Sequence, residues 1–275
     1  MESELELVAV EDAAVETFAT AESDAPKPRR RLRCWHVCAA TLACLCIAAV
    51  LALALVFAIV LIGLAVEKVA VDAAGDNTAR YYESARVCAT NRTSGARSSF
   101  RNATAARATR DHAVTHCGDC GQCSSPNDID VMNATKDTLT KTATDCSLKA
   151  FSGGAAAVDA CFQERVGFTP GCTECWVNNV MCDQKFCVYT CIWTVLIKRE
   201  PNNRAGNLND CLLCDERMCG PAFVECAGAN RRRLGIATDI QRKAALEMCG
   251  ANKVSGLSFQ YHVGSYSTSL LLRGS

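Results

Sequence analysis

Thirty consecutive residues, 37–66, carry neither charge nor proline. Their centre, residues 44–64, reads CLCIAAVLALALVFAIVLIGL and offers no polar face at any helical phase. An α-helix rises about 1.5 Å per residue and the hydrocarbon core of a bilayer is about 30 Å thick, so about 20 such residues suffice to cross it. The apolar part of a cleaved signal peptide is only about 7–15 residues long and lies near the N-terminus. Here the run is longer and begins after residue 36. Cleavage near Ala73 and Ala74, or a buried helix of a soluble protein, are the weaker readings. The pattern predicts one transmembrane helix within 34–68.

Beyond the run, apolar positions recur at helical spacing and strict alternation is scarce. Ser125-Pro126-Asn127-Asp128 supplies an N-cap, a proline at the first helical position and an acid at the third. Ile129, Met132, Leu139, Ala143, Cys146 and Ala150 then follow on one helix face. A helix is expected over 155–166, stopped by Gly167. The next starts at Thr169-Pro170 with Cys172, Cys175 and Cys182 on one face. Another starts at Asp183 and carries Cys187, Cys191 and residues 193–196. Further helices are expected at 208–218, 221–227 and 238–248, with a loop over 201–206. The predicted fold class is mainly α: a single transmembrane helix plus a small disulfide-rich helical ectodomain.

Charge orients the span. Eight acidic residues and no basic one precede Lys27, and Lys27, Arg29, Arg30, Arg31 and Arg33 crowd its near end. Just beyond lie Glu67, Lys68 and Asp72, with little positive excess. Basic residues stay on the cytosolic side, so a type II signal anchor is expected, with residues 1–33 a disordered acidic-then-basic cytosolic tail. Cys34 and Cys38, at the cytosolic edge, are candidates for lipidation. Cys44 and Cys46 read as small apolar residues within the span. The overall net charge of 0 leaves the part after the span near +3, too weak a field to argue for nucleic acid. The triplet 231–233, all arginine, reads as a solvated helix end or a protease site.

Orientation gives meaning to the cysteines. Of 20, sixteen follow the span: Cys88, Cys117, Cys120, Cys123, Cys146, Cys161, Cys172, Cys175, Cys182, Cys187, Cys191, Cys211, Cys214, Cys219, Cys226 and Cys249. In an exported compartment disulfides are their expected state, and an even number permits complete pairing. Spacing does not reveal which cysteine pairs with which. Two stretches look like a duplication: Cys172-x2-Cys175-x6-Cys182-x4-Cys187 and Cys211-x2-Cys214-x4-Cys219-x6-Cys226. Asn91-Arg-Thr, Asn102-Ala-Thr and Asn133-Ala-Thr fit the N-glycosylation pattern, all on the expected exported side. Asn133 falls in a helix and is the least accessible. Residues 69–116, rich in Ala, Arg, Ser and Thr, read as a glycosylated stalk before a cysteine-rich ectodomain over 117–250 and a loose tail over 251–275.

Chemistry-bearing motifs are few. Cys-x-x-Cys occurs at 117/120, 120/123, 172/175 and 211/214. Structural disulfides are the leading reading. Zinc is disfavoured by export and by the scarcity of histidines, of which His112, His116 and His262 follow the span. Cys172-Thr-Glu-Cys175-Trp176 is the best candidate for a redox pair, although its helical setting departs from a thioredoxin-like context. No phosphate loop, serine elbow or zinc-protease motif occurs. The acids Asp128/Asp130 and Asp215/Glu216 read as a helix start and an exposed face. No catalytic residue, metal ligand or cofactor is assigned, and an enzyme is the less favoured class.

The stretch from Cys117-Gly-Asp-Cys-Gly-Gln-Cys, through Gly167-Phe-Thr-Pro-Gly-Cys-Thr-Glu-Cys-Trp176, to Cys226-Ala-Gly-Ala-Asn-Arg-Arg-Arg233 resembles a cysteine-rich domain of predicted secreted or membrane proteins of unicellular algae. That resemblance covers about 117–249 and implies a domain without an assigned activity. The expected function is surface recognition or a structural role at a membrane, through a protein or glycan ligand outside the cytosol. A thiol-disulfide oxidoreductase using a Cys-x-x-Cys pair and a saposin-like lipid-binding module are the alternatives. Trp176 and Trp193 are candidates for a recognition patch, though such residues more often pack in the core.

Overall fold

The computed structural model describes residues 29–75, 85–203 and 205–241, with side chains from residue 41 onward. The acidic tail over 1–28, the tail over 251–275, Cys249, the side chains of Cys34 and Cys38 and most of the helix expected at 238–248 lie outside these residues. The chain divides into two compact units, Met1–Phe57 and Ala58–Ser275. The boundary falls inside the first helix.

That helix, α1, is Arg29–Ala74. It starts earlier and ends later than the 34–68 expected from hydropathy. Its stretch Thr41–Ala74 is the one helix among the described residues long and apolar enough to cross a membrane. In the first unit, Leu45, Val50, Leu51 and Leu53 are each at least 63 % exposed, so no protein core accounts for them.

The second unit is mainly helical, as expected, with one small sheet that was not. Residues read as a stalk fold into β1 (Val87–Asn91), β2 (Arg97–Phe100), α2 (Ala103–Ala108) and β3 (His112–Cys117). The sheet order is β2-β1-β3, antiparallel throughout, with a register shift between Cys88 and Ala89. Val87, Ala89 and Ala106 form its small core. The strands are short and hold only Val87, Phe100 and Val114 as large apolar residues, so they carry little of the large-apolar alternation that marks a strand.

Next come α3 (Pro126–Ala134) and α4 (Leu139–Ser147). Ser125 caps α3 as its spacing predicted, its Oγ accepting from the Asp128 N–H at 3.1 Å. The single apolar face expected here is split by a turn, where the Thr135 hydroxyl bonds back to the Val131 carbonyl at 2.7 Å. Ile129, Met132, Leu139 and Cys146 are nevertheless all buried. Helix α5 is Ala150–Arg165, broken at Gly154, whose φ of 58° interrupts it one residue before the expected start.

Two antiparallel arms complete the unit. The first is α6 (Pro170–Phe186) followed by α7 (Val188–Leu196), and the second is α8 (Asp210–Cys214), a π-helical turn (Asp215–Cys219) and α9 (Gly220–Ala227). The helix expected to begin at Asp183 instead begins at Val188, because α6 runs on to Phe186. Four disulfides cross between the arms in reverse order: Cys175–Cys226, Cys182–Cys219, Cys187–Cys214 and Cys191–Cys211, with Cα–Cα distances of 5.7, 5.8, 5.9 and 4.5 Å. The spacing read as a duplication is therefore a mirror. From Cys175 forward the gaps are x6, x4 and x3, and from Cys226 backward they are x6, x4 and x2. Antiparallel arms need equal steps in opposite directions.

The middle step explains the local geometry. Five residues turn an α-helix about 140° past a full turn, which would put the sulfurs on nearly opposite faces. Both arms depart from α geometry at this step. Cys187 leaves helical space at φ −129°, ψ 11°, and Asp215–Cys219 is π-helical, where a turn closes in five residues.

The core lies where α3–α6 meet α9. Trp176 packs there, 4.8 Å from Phe223, 5.7 Å from Phe162 and stacked on Phe168 at 5.8 Å between centroids. Asp128, fully buried, accepts from the Thr169 N–H at 2.7 Å and the Thr169 hydroxyl at 2.8 Å, tying the start of α3 to that of α6. Residues 117–123 run alongside 226–233, with Gln122 and Cys123 N–H donating to the Cys226 and Ala227 carbonyls. The approach requires glycine on both sides, since a Cβ on Gly228 would fall 2.2 Å from the Gly121 nitrogen.

Non-reducing peptide mapping is expected to recover the four reverse-order pairs. Replacing Cys187 and Cys214 together by Ser removes one rung, which closes 27 residues, and is expected to lower stability by about 2–4 kcal/mol, read as a lower denaturant midpoint.

Candidate functional site

The disulfides place most of the cysteines singled out by sequence. Besides the four rungs, Cys88–Cys120 joins the sheet to the strap of residues 118–124 that follows β3, Cys123–Cys172 joins the strap to α6, and Cys146–Cys161 joins α4 to α5. Cys117 is also disulfide-bonded. No Cys-x-x-Cys pair among the described residues closes on itself. Cys172 and Cys175, the best redox candidate, belong to two different bridges and are both buried. A thiolate cannot attack from a position closed to solvent. Asp183, Cys187 and Cys219 bring three potential ligand atoms within 4.8 Å, but both sulfurs are already in disulfides and are not available as thiolates.

A Ser–His contact sits beneath the sheet. His116 Nδ1 lies 2.8 Å from the Cys117 carbonyl, which only accepts, so Nδ1 carries the proton. Nε2 then accepts from the Ser124 hydroxyl at 2.8 Å, while the Gly121 N–H donates to Ser124. Both residues are fully buried, so this pair fastens the strap rather than meeting a substrate. Burial, outweighing the backbone hydrogen bond, lowers the His116 pKa to about 4.

A cavity of about 860 Å³ opens between α4 and the two arms. On its α6 wall, Trp176 Nε1, Asn179 Oδ1 and Asp183 Oδ1 are buried without a hydrogen-bond partner. Asn179 donates its amide to Asp215 at 2.8 Å. Burial first, and the facing Asp215 carboxylate second, raise the Asp183 pKa well above its ordinary value. Asp215 and Glu216 are thus not simply an exposed acidic face. Glu216 pairs with Arg232 at 2.6 Å. The triplet 231–233 is neither a solvated helix end nor an open protease site: Arg232 and Arg233 are 5 % and 8 % exposed, and Arg233 donates to the Gly228 carbonyl at 2.9 Å.

At the other end of the unit the final turns of α1 meet α7. The Glu67 carboxylate, 7 % exposed, accepts from the Tyr189 and Thr190 N–H groups at 2.9 and 2.8 Å. These are first-turn donors of a helix whose own N-cap, Cys187, supplies no side-chain bond. A Cβ on Gly63 would lie 2.6 Å from the Tyr189 ring, so only glycine admits that ring. Arg217 donates to the Val71 carbonyl at 3.2 Å, and Val71 packs with Cys187 and Cys214. Sequence reading missed this junction. Its signals were an acid placed directly after the apolar run and a glycine three residues before the run's end.

The glycosylation triplets take three settings. Asn91 Oδ1 accepts from Thr93 and Ser94 N–H in the β1–β2 turn, and Asn102 Oδ1 caps α2 by accepting from Ala105 N–H. Both contacts leave Nδ2 outside these bonds, whereas Asn133 commits Nδ2 to the Ile129 carbonyl at 3.1 Å. Of the two tryptophans considered for a patch, Trp176 is partly buried against the core and Trp193 is 45 % exposed.

Fold and site together define a disulfide-rich, mainly helical protein with one helix long and apolar enough to cross a membrane. Residues 155–250 match a family described as of unknown function, DUF8771. The match takes in both arms and the loop between them, overlaps the stretch expected at 117–249, and brings no activity with it. No curated protein and no solved structure matches the chain.

Because His116 titrates near 4 when folded and near its ordinary 6.5 when unfolded, the unfolded chain binds the extra proton between these values. Stability is therefore full above pH 6.5 and falls as pH drops toward 4, by on the order of 3 kcal/mol. Urea midpoints measured from pH 7 to 4.5 are expected to show this loss, and His116→Gln to flatten it.

Proposed function

We propose that the chain is a single-pass type II membrane protein whose cysteine-rich part lies outside the cytosol and acts there as a rigid module for surface recognition or for a structural role, meeting a protein or glycan ligand. The observation that carries this reading is the partition of its cysteines. Every described cysteine after α1, from Cys88 to Cys226, is disulfide-bonded, whereas Cys44 and Cys46, within the apolar helix, are free. Disulfides persist in oxidising compartments and thiols in the cytosol and membrane interior. The basic cluster before the run supports a cytosolic N-terminus.

The cross-linked arms support the recognition role. A surface held by at least seven bridges among the described residues loses little conformational freedom when it engages a partner, so less of the contact energy is spent on ordering. The settings of Asn91 and Asn102, in a turn and at a helix start, suit glycan attachment through Nδ2.

In intact microsomes, protease added from outside is expected to remove the N-terminal tail and spare everything after α1. Endoglycosidase treatment is expected to increase gel mobility, with the shift reduced by Asn91→Gln and by Asn102→Gln, and less by Asn133→Gln. Digestion of the cysteine-rich part from the cytosolic side, with no glycan on it, would overturn the proposal.

A further inference from the structure

The helix α7 carries an apolar face that the fold covers only at its Tyr189 end. In Val-Tyr-Thr-Cys-Ile-Trp-Thr-Val-Leu, the positions Tyr189, Ile192, Trp193 and Leu196 share one side at spacings of three and four. Ile192 is 37 %, Trp193 45 % and Leu196 69 % exposed, and the next residue, Ile197, is 41 % exposed. Single exposed apolar residues are ordinary, but a contiguous row along one helix face marks an interaction surface.

The junction with α1 says what covers it. Tyr189 rests on Gly63, Glu67 receives the N–H groups of Tyr189 and Thr190, and Trp193 lines one cleft with Leu64 and Lys68. All four α1 positions belong to the same compact unit as α7. The aromatic residues of α7 therefore stand at the height of residues 63–68, where Val66 ends the apolar run and Glu67 begins the charged sequence. When α1 spans a bilayer, that height is the boundary between hydrocarbon and headgroups, where Tyr and Trp are enriched. Lys198, exposed just past the helix, supplies a cation at the level of lipid phosphates.

We propose that α7 is a membrane-interface helix, its Tyr189, Ile192, Trp193 and Leu196 face seated in the outer boundary of the bilayer that α1 crosses. The inference rests on the reading of α1 as a span. Gly63 and Glu67 set the contact: the glycine admits the Tyr189 ring, and the carboxylate fixes the start of α7. The ectodomain is thereby held against the lipid surface at a second point, with the arms fixed in orientation to it.

The test uses the full chain reconstituted in phosphatidylcholine vesicles with lipids brominated at shallow or deep acyl positions. Trp35 and Trp176 contribute to both proteins, so the difference between the native chain and Trp193→Phe isolates Trp193. Its emission is expected to be quenched more by the shallow bromines than by the deep ones, and to be protected from aqueous acrylamide. Gly63→Leu, which displaces the Tyr189 ring, is expected to reduce that quenching while the protein stays in the membrane. Alkaline carbonate extraction separates the two readings. Release of the chain by carbonate overturns the span. Retention with Trp193 unquenched by either lipid and open to acrylamide overturns the α7 proposal alone. Retention with Trp193 protected from acrylamide but unquenched, more so at high protein-to-lipid ratio, assigns the face to a second copy and likewise overturns it.

Discussion

The constraint on which most of the second unit depends is the set of four disulfides tying one helical arm to the other in reverse order. Each rung lies inside the loop closed by the one before, so the loops shorten from 51 to 37, 27 and 20 residues. Nesting brings the ends of each inner loop together before its own bond forms and reduces the remaining closure entropy. The ladder also fixes the register of two arms whose apolar content is modest, and it accounts for the break at Cys187 and the π-helical turn opposite it. The core around Trp176 is built where this ladder meets α3, α4 and α5. The buried contacts at Asp128 and His116 attach those helices and the sheet to it.

A second constraint acts where the apolar helix meets the folded unit. A carboxylate buried at Glu67 carries a desolvation cost, which is offset only because two N–H groups at the start of α7 point at it in the favourable field of a helix N-terminus. With Gly63 beneath the Tyr189 ring, the contact has little freedom to slide. The end of α1 is therefore part of the folded unit rather than a flexible leash. This matters to function because a tethered module and a docked one present different surfaces to a partner.

Several features were legible in the sequence because they depend on neighbours close along the chain. The apolar run became a single helix, the Ser125-Pro126-Asn127-Asp128 sequence became a capped helix start, and Ile129, Met132, Leu139 and Cys146 all turned inward. The helix end at Gly167 followed from a backbone conformation that favours glycine. Features that depend on distant partners were not legible. The sheet over 87–117 has short strands with few large apolar residues, whose pairing, not composition, makes them strands. Arg232 and Arg233 looked solvated because their partners, Glu216 and the Gly228 carbonyl, lie on a turn and a loop that the sequence could not bring to them. Asp183 and Asp215 were separate acids until the arms placed them face to face.

The cysteine spacing marks the border between the two kinds of knowledge. The sequence alone determined that one helix is long and apolar enough to cross a membrane, that the cysteines are concentrated after it, and that their gaps recur. Periodicity, charge and count are local properties, and they need no three-dimensional partner. Only the tertiary structure decided that the recurrence is a mirror rather than a repeat, because a list of gaps reads equally well in either direction until two arms are laid antiparallel and their sulfurs meet. It alone also decided that Glu67 caps α7, since a helix N-terminus can recruit a carboxylate from any part of the chain that packing brings within about 3 Å.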